Sequence, residues 1–80
     1  MKLLAFSIYD LKVEAYSAPF CCRTYGEAER FFGHLLKEEP QYSKDPNDYH
    51  LYCVGTFDQV TGMLEPQAEV KRIQLVEGGS

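Results

Sequence analysis

Apolar and polar positions along the chain follow two periods. From Lys2 to Tyr9 they alternate, with Leu4, Phe6 and Ile8 on one face and Leu3, Ala5, Ser7 and Tyr9 on the other. A period of two is that of a strand, and apolar residues on both faces predict a central or doubly covered one. Asp10-Leu11-Lys12 predicts a turn in which the Asp10 carboxylate accepts from the following backbone. Val13 to Arg23 reads as a second extended segment. Pro19 has no N–H for a ladder, so this segment is expected to be an edge strand, bulged or only partly paired.

The period then changes. Ala28, Phe31, Phe32, Leu35 and Leu36 recur at helical spacing and form one apolar stripe. Thr24 followed by Glu27 is a capping box, Lys37 complements the carbonyl end, and Pro40 predicts the stop. After a polar loop from Gln41 to Asp48, alternation returns from Tyr49 to Phe57. Leu51, Cys53, Gly55 and Phe57 are expected on one face, and His50, Tyr52, Val54 and Thr56 on the other. Asp58 to Gly62 fits a hairpin loop built on a type I turn, with Gly62 in the left-handed position. A last strand is interrupted at Pro66 and clearer from Ala68 to Val76. Gly78-Gly79-Ser80 reads as a flexible end, native or added.

This order, β-β-α-β-β, predicts an α+β fold: a single amphipathic helix packed on a roughly four-stranded antiparallel sheet, as one domain over 1–77 with a flexible tail at 78–80. The helix would bury Phe31, Phe32, Leu35 and Leu36 on one sheet face. The other face keeps Tyr52, Val54 and Tyr9. One helix cannot cover both, so a second copy of the chain is the simplest cover and a homodimer is expected.

Composition narrows the function classes. At 80 residues the chain has room for one modest core. Aromatics reach 14%, with Tyr 6 and Phe 5 but no Trp, enough to serve a core, an interface or base stacking. The net charge of -4 does not attract phosphate backbones over long range. A nucleic-acid role would therefore need local cations. Three cysteines cannot close a disulfide framework and read as free thiols in a reducing compartment, two of them buried and the rest exposed. The apolar run after Lys2 is broken by Ser7 and Asp10, which predicts no signal peptide, and no apolar stretch reaches bilayer length. No membrane association is expected.

Catalytic signatures do not emerge. No C-x-x-C or H-x-x-x-H spacing supports a metal site, no elbow or triad context surrounds Ser7, Ser17 or Ser43, and the phosphate-binding and dinucleotide fingerprints are absent. Cys22 would be nucleophilic only if Arg23 lowered its pKa. The expectation is no enzyme, no cofactor and no metal. Two other patterns stand out. Gly26, Arg30, Gly33 and Lys37 share the helix stripe opposite the apolar one, where missing side chains permit close approach of a phosphate backbone or another helix. Aromatics interleave with cations around the second strand and helix start (Tyr16, Phe20, Arg23, Tyr25) and around the following loop (Tyr42, Lys44, Tyr49). Stacking on such rings needs no sequence code.

Four pieces carry a resemblance. Phe6-Ser7-Ile8-Tyr9-Asp10-Leu11-Lys12-Val13-Glu14-Ala15-Tyr16 with Pro19-Phe20 comes first. Gly26-Glu27-Ala28-x-Arg30-Phe31 and Tyr42-Ser43-Lys44-x-Pro46-x-Asp48-Tyr49-x-Leu51 follow, then Gly55-Thr56-Phe57-Asp58-x-x-Thr61-Gly62. In this order and spacing they resemble the small nonstructural protein of gokushoviruses, single-stranded DNA phages of the Microviridae, commonly labelled a DNA-binding protein. The similarity runs from about Lys2 to Gly62, and the section beyond matches loosely. It implies a non-virion protein of the infected bacterial cytoplasm that assists genome synthesis or packaging. No catalytic residues carry over.

Together these readings predict single-stranded DNA binding through Tyr16, Phe20, Arg23, Tyr25, Arg30, Lys37, Tyr42 and Lys44. The alternative is an acidic protein–protein module that engages a viral or host protein and touches no nucleic acid.

Overall fold

The computed structural model describes residues 1–73, with side chains for all of them except 68–71. The expected tail at 78–80 and the end of the last strand lie outside the described residues. The elements are β1 (Lys2–Asp10), β2 (Ala15–Tyr16), β3 (Phe20–Cys22), α1 (Tyr25–Glu38), α2 (Pro40–Ser43), a 3-10 turn (Pro46–Asp48), β4 (Tyr49–Asp58) and β5 (Leu64–Ile73). The fold is α+β, as expected, with one main helix on an antiparallel sheet.

Among the described residues the sheet has five strands, not four, in the order β2-β1-β4-β5, with β3 sharing the β2 edge of β1. The extra strand comes from the second extended segment, which splits on either side of Pro19. Tyr16 pairs with Tyr9, and Phe20 pairs with Phe6. Ser17 spans the gap: its N–H donates to the Ile8 carbonyl at 2.8 Å, and its Oγ accepts from the Ile8 N–H at 2.9 Å. The Ser7 hydroxyl donates to the Ser17 carbonyl at 2.7 Å. These side-chain bonds replace the ladder bond that proline cannot make.

The local signals act as the residues dictate. Asp10 Oδ1 accepts from Lys12 N at 2.8 Å, which turns the chain out of β1. Thr24 Oγ1 accepts from Glu27 N at 3.1 Å, and Glu27 Oε1 accepts from Arg23 N at 2.9 Å, so the reciprocal bond reaches one residue further back than in a standard capping box. Pro40 ends α1 but begins α2 as its first residue, where a proline needs no N–H. At the hairpin, Gly62 has φ 76° and its N–H donates to the Asp58 carbonyl at 2.7 Å. Asp58 Oδ1 accepts from Val60 N at 2.8 Å.

One core sits between α1 and the sheet. Phe6, Ile8, Leu51 and Cys53 meet Ala28 and Phe32 there, and Leu35, Leu36 and Ile73 pack around them. Phe31, expected in this core, is 44% exposed, because it lies on the flank of the helical stripe. The alternation expected along β4 also breaks. Phe6 pairs with Cys53 but Ala5 pairs with Gly55, so Val54 is an extra residue in a β-bulge. Beyond it the faces exchange. Phe57 pairs with Leu3 on the face away from the helix, and Thr56 pairs with Leu4 on the helix side. Strand β5 answers with a larger irregularity, since Cys53 pairs with Lys71 and Gly55 with Pro66.

Candidate nucleic-acid interface

The eight residues singled out from the sequence fall into three places. Phe20, Arg23, Tyr25 and Arg30 gather at the N-terminal half of α1. Lys37, Tyr42 and Lys44 lie toward its C-terminal end and α2. Tyr16 stands on the opposite face of the sheet.

The first group is organised by a run of rings. Tyr25 meets Phe6 edge-on at 5.8 Å between centroids, Phe6 stacks on Phe20 at 5.9 Å, and Phe20 meets Phe31 at 4.9 Å. Phe6 is wholly buried and Phe20 half-buried, so Phe20 is chiefly packing. The two ends of the run reach the surface: Tyr25 is 41% exposed and Phe31 44%. The Tyr25 hydroxyl points inward. The electrostatics of the neighbouring Cys53, partial burial and a hydrogen bond to Cys53 hold it above the ordinary phenol range, so it is a neutral ring at physiological pH.

Arg23 and Arg30 are exposed beside these rings, and Arg30 and Lys37 lie two turns apart along the outer side of α1, about 10 Å along the axis. Among the described residues no salt bridge engages Arg23, Arg30, Lys37 or Lys44. By contrast Lys2 pairs with Glu65 at 3.0 Å, and Lys12 pairs with Asp45 at 3.0 Å and Asp48 at 3.2 Å. A Cβ added to Gly33 would meet nothing within 4 Å, and one on Gly26 would meet only Thr24 Oγ1 at 3.9 Å. Packing within the chain therefore does not require either glycine. Glu29 and Glu38 lie on the same helix, so the field there is mixed rather than strongly positive.

Toward the other end, Tyr42 meets Tyr49 edge-on at 4.7 Å and packs against the core, while the Tyr49 hydroxyl donates to the Gln41 carbonyl at 3.0 Å. Tyr42 is a structural ring. Burial, then the nearby Glu27 carboxylate, raises the Cys22 thiol, which leaves it protonated and a poor nucleophile despite the adjacent Arg23. Among the described residues no three metal-ligating side chains converge, and no helix is long and apolar enough to cross a membrane.

The site that emerges offers flat rings at the surface and unpaired cations beside them. It can hold stacked planes and anionic groups. Sequence reasoning missed Phe31, which its helical spacing assigned to the core. Its adjacency to Arg30, at the edge of the apolar stripe, is the signal that marks it.

An α+β domain with one helix on an antiparallel sheet and a cation-and-ring surface on that helix is the class the structure defines. The chain belongs to the family described as Phage ORF5 protein, whose model matches residues 3–78. It is therefore a bacteriophage protein. No curated protein and no solved structure matches it.

Proposed function

We propose that this is a nonenzymatic phage accessory protein that binds single-stranded DNA along the outer side of α1, during synthesis or packaging of the viral genome in the host cytoplasm. The observation that carries the reading is the pairing of unengaged cations with missing side chains. Among the described residues Arg30 and Lys37 form no salt bridge, and Gly26 and Gly33 between and beside them leave open space. Glycine inside a helix costs about 1 kcal/mol relative to alanine, and no packing among the described residues repays that cost. A phosphate backbone lying close against the helix does.

Tyr25 and Phe31 then serve as shoulders on which bases stack, and Arg23 extends the cation row toward the sheet. Stacking supports single strands over duplexes, because paired bases do not present their faces. The affiliation with a phage family and the resemblance to proteins of single-stranded DNA phages support the same ligand. The net charge of -4 makes the binding weak and salt-sensitive. Fluorescence anisotropy with a labelled single strand and the matching duplex, across a salt series, tests it. The single strand is expected to bind more tightly at every salt concentration. Equal binding of the two, or no binding at low salt, refutes the proposal.

A further inference from the structure

We propose that the sheet face turned away from α1 is the interface of a homodimer, covered by the same face of a second copy. This is independent of the DNA reading, which uses the opposite side of the molecule.

The face is aromatic and carries few charges. Tyr9, Tyr16 and Tyr52 form a triangle with centroid separations of 4.7, 6.1 and 5.4 Å. Cross-strand pairing of Leu3 with Phe57 and of Phe57 with Leu64 continues the apolar surface to the other end of the sheet. Charged residues make up 25% of the chain, yet among the described side chains the strands of this face carry only Arg72, opposite Tyr52, and His50, opposite Tyr9, with the Glu14 carboxylate acting on Tyr9 from its edge. A DNA surface carries several cations, so this composition favours a protein partner. Among the described residues no hydrogen bond engages the hydroxyls of Tyr9, Tyr16 and Tyr52, which suits rings whose tips sit at a wet rim.

Area agrees. Four strand positions about 4.8 Å apart and nine residues of about 3.3 Å rise project roughly 570 Å², before side-chain relief is counted. A specific dimer buries about 600–1,000 Å² per partner.

Shape and charge point to a second copy rather than another protein. A groove of about 220 Å³ lined by Ser7, Tyr16, Ser17, Pro19 and Val54 lies next to the Tyr16 ring, itself 48% exposed. A projection beside a hollow on one face is what a twofold interface needs, since each copy's Tyr16 can enter the other's groove. Stacked sheets sit about 10 Å apart, which leaves the acidic outer surfaces of the two copies farther apart than the Debye length of about 8–10 Å. The two net negative charges therefore oppose pairing only weakly.

Light scattering coupled to size exclusion, run over a concentration series, reads the mass directly. The expected mass is twice 9.2 kDa. Tyr16→Glu, on an exposed ring, is expected to weaken dimerisation at least tenfold while far-UV circular dichroism stays unchanged. Tyr16→Phe, which keeps the ring, should leave the dimer intact. A chain that stays at 9.2 kDa at every concentration overturns the proposal, as does a dimer whose dissociation constant Tyr16→Glu leaves unmoved. A monomeric wild type whose oligonucleotide binding is abolished by Tyr16→Glu also overturns it and assigns the face to DNA.

Discussion

A Cβ on Gly55 would run into the carbonyl oxygen of Glu65, because β5 crosses β4 at closest approach just past the Val54 bulge. The glycine is therefore a steric requirement of the sheet rather than a turn residue. Gly55→Ala forces two backbones apart in the middle of a ladder. Overpacking of this kind costs about 1–3 kcal/mol. The urea midpoint of the variant is expected to fall accordingly, with the slope unchanged.

Gly33→Ala separates folding from binding. With nothing within 4 Å of the added methyl, the helix gains up to about 1 kcal/mol, and the urea midpoint should rise. The same methyl stands where a phosphate backbone would lie, so affinity for a single strand should drop. A variant that is more stable and binds equally well would remove the close-approach argument.

Glu14 has φ 57°, where a side chain is strained by about 1–2 kcal/mol. Its N–H donates to the Asp10 carbonyl at 2.8 Å, so the turn needs the backbone shape and not the carboxylate. Glu14→Gly is expected to be neutral or stabilising by up to about 1 kcal/mol, the relief of strain being partly offset by chain entropy. Thermal unfolding checks it.

Acid should weaken the fold in two steps. Burial, then the nearby Arg72, lowers the pKa of His50 below its ordinary 6.5. The unfolded chain then takes up the proton first, so stability is full above about pH 6.5 and falls as pH drops through the folded value. Hydrogen bonds from the Val60 and Thr61 backbones lower Asp58 below 3.8, and its contribution is lost below that pH in the same direction. Urea midpoints measured from pH 7 downward should decline. His50→Gln should flatten the first decline and leave the second.

Helix α1 and the Asp58–Gly62 turn were legible in the sequence because their causes are local: Thr24, Glu27 and Pro40 in one case, Asp58 and Gly62 in the other. The Val54 bulge was not. Leu51, Cys53, Gly55 and Phe57 alternate without a break, and only pairing with β1 on one side and β5 on the other reveals the exchange of faces. The same limit governed the rings. Composition marked Phe20, Tyr25 and Tyr42 as available for stacking, but Phe20 is held between Phe6 and Phe31, and Tyr42 against Tyr49. Which rings reach solvent depends on contacts between residues far apart in the chain. The cations were more legible: Arg23, Arg30, Lys37 and Lys44 are all exposed.

The most direct test of DNA binding at α1 compares two substitutions in one salt titration of single-strand affinity. Arg30→Ala is expected to weaken binding to all sequences alike and to reduce the slope of log affinity against log salt by about 0.7, one phosphate contact. Phe31→Leu keeps an apolar group against Phe20 but removes the flat face, so affinity should fall by about 1–3 kcal/mol per lost stack with the slope unchanged. Affinity and slope that stay at wild-type values in both variants would contradict the account.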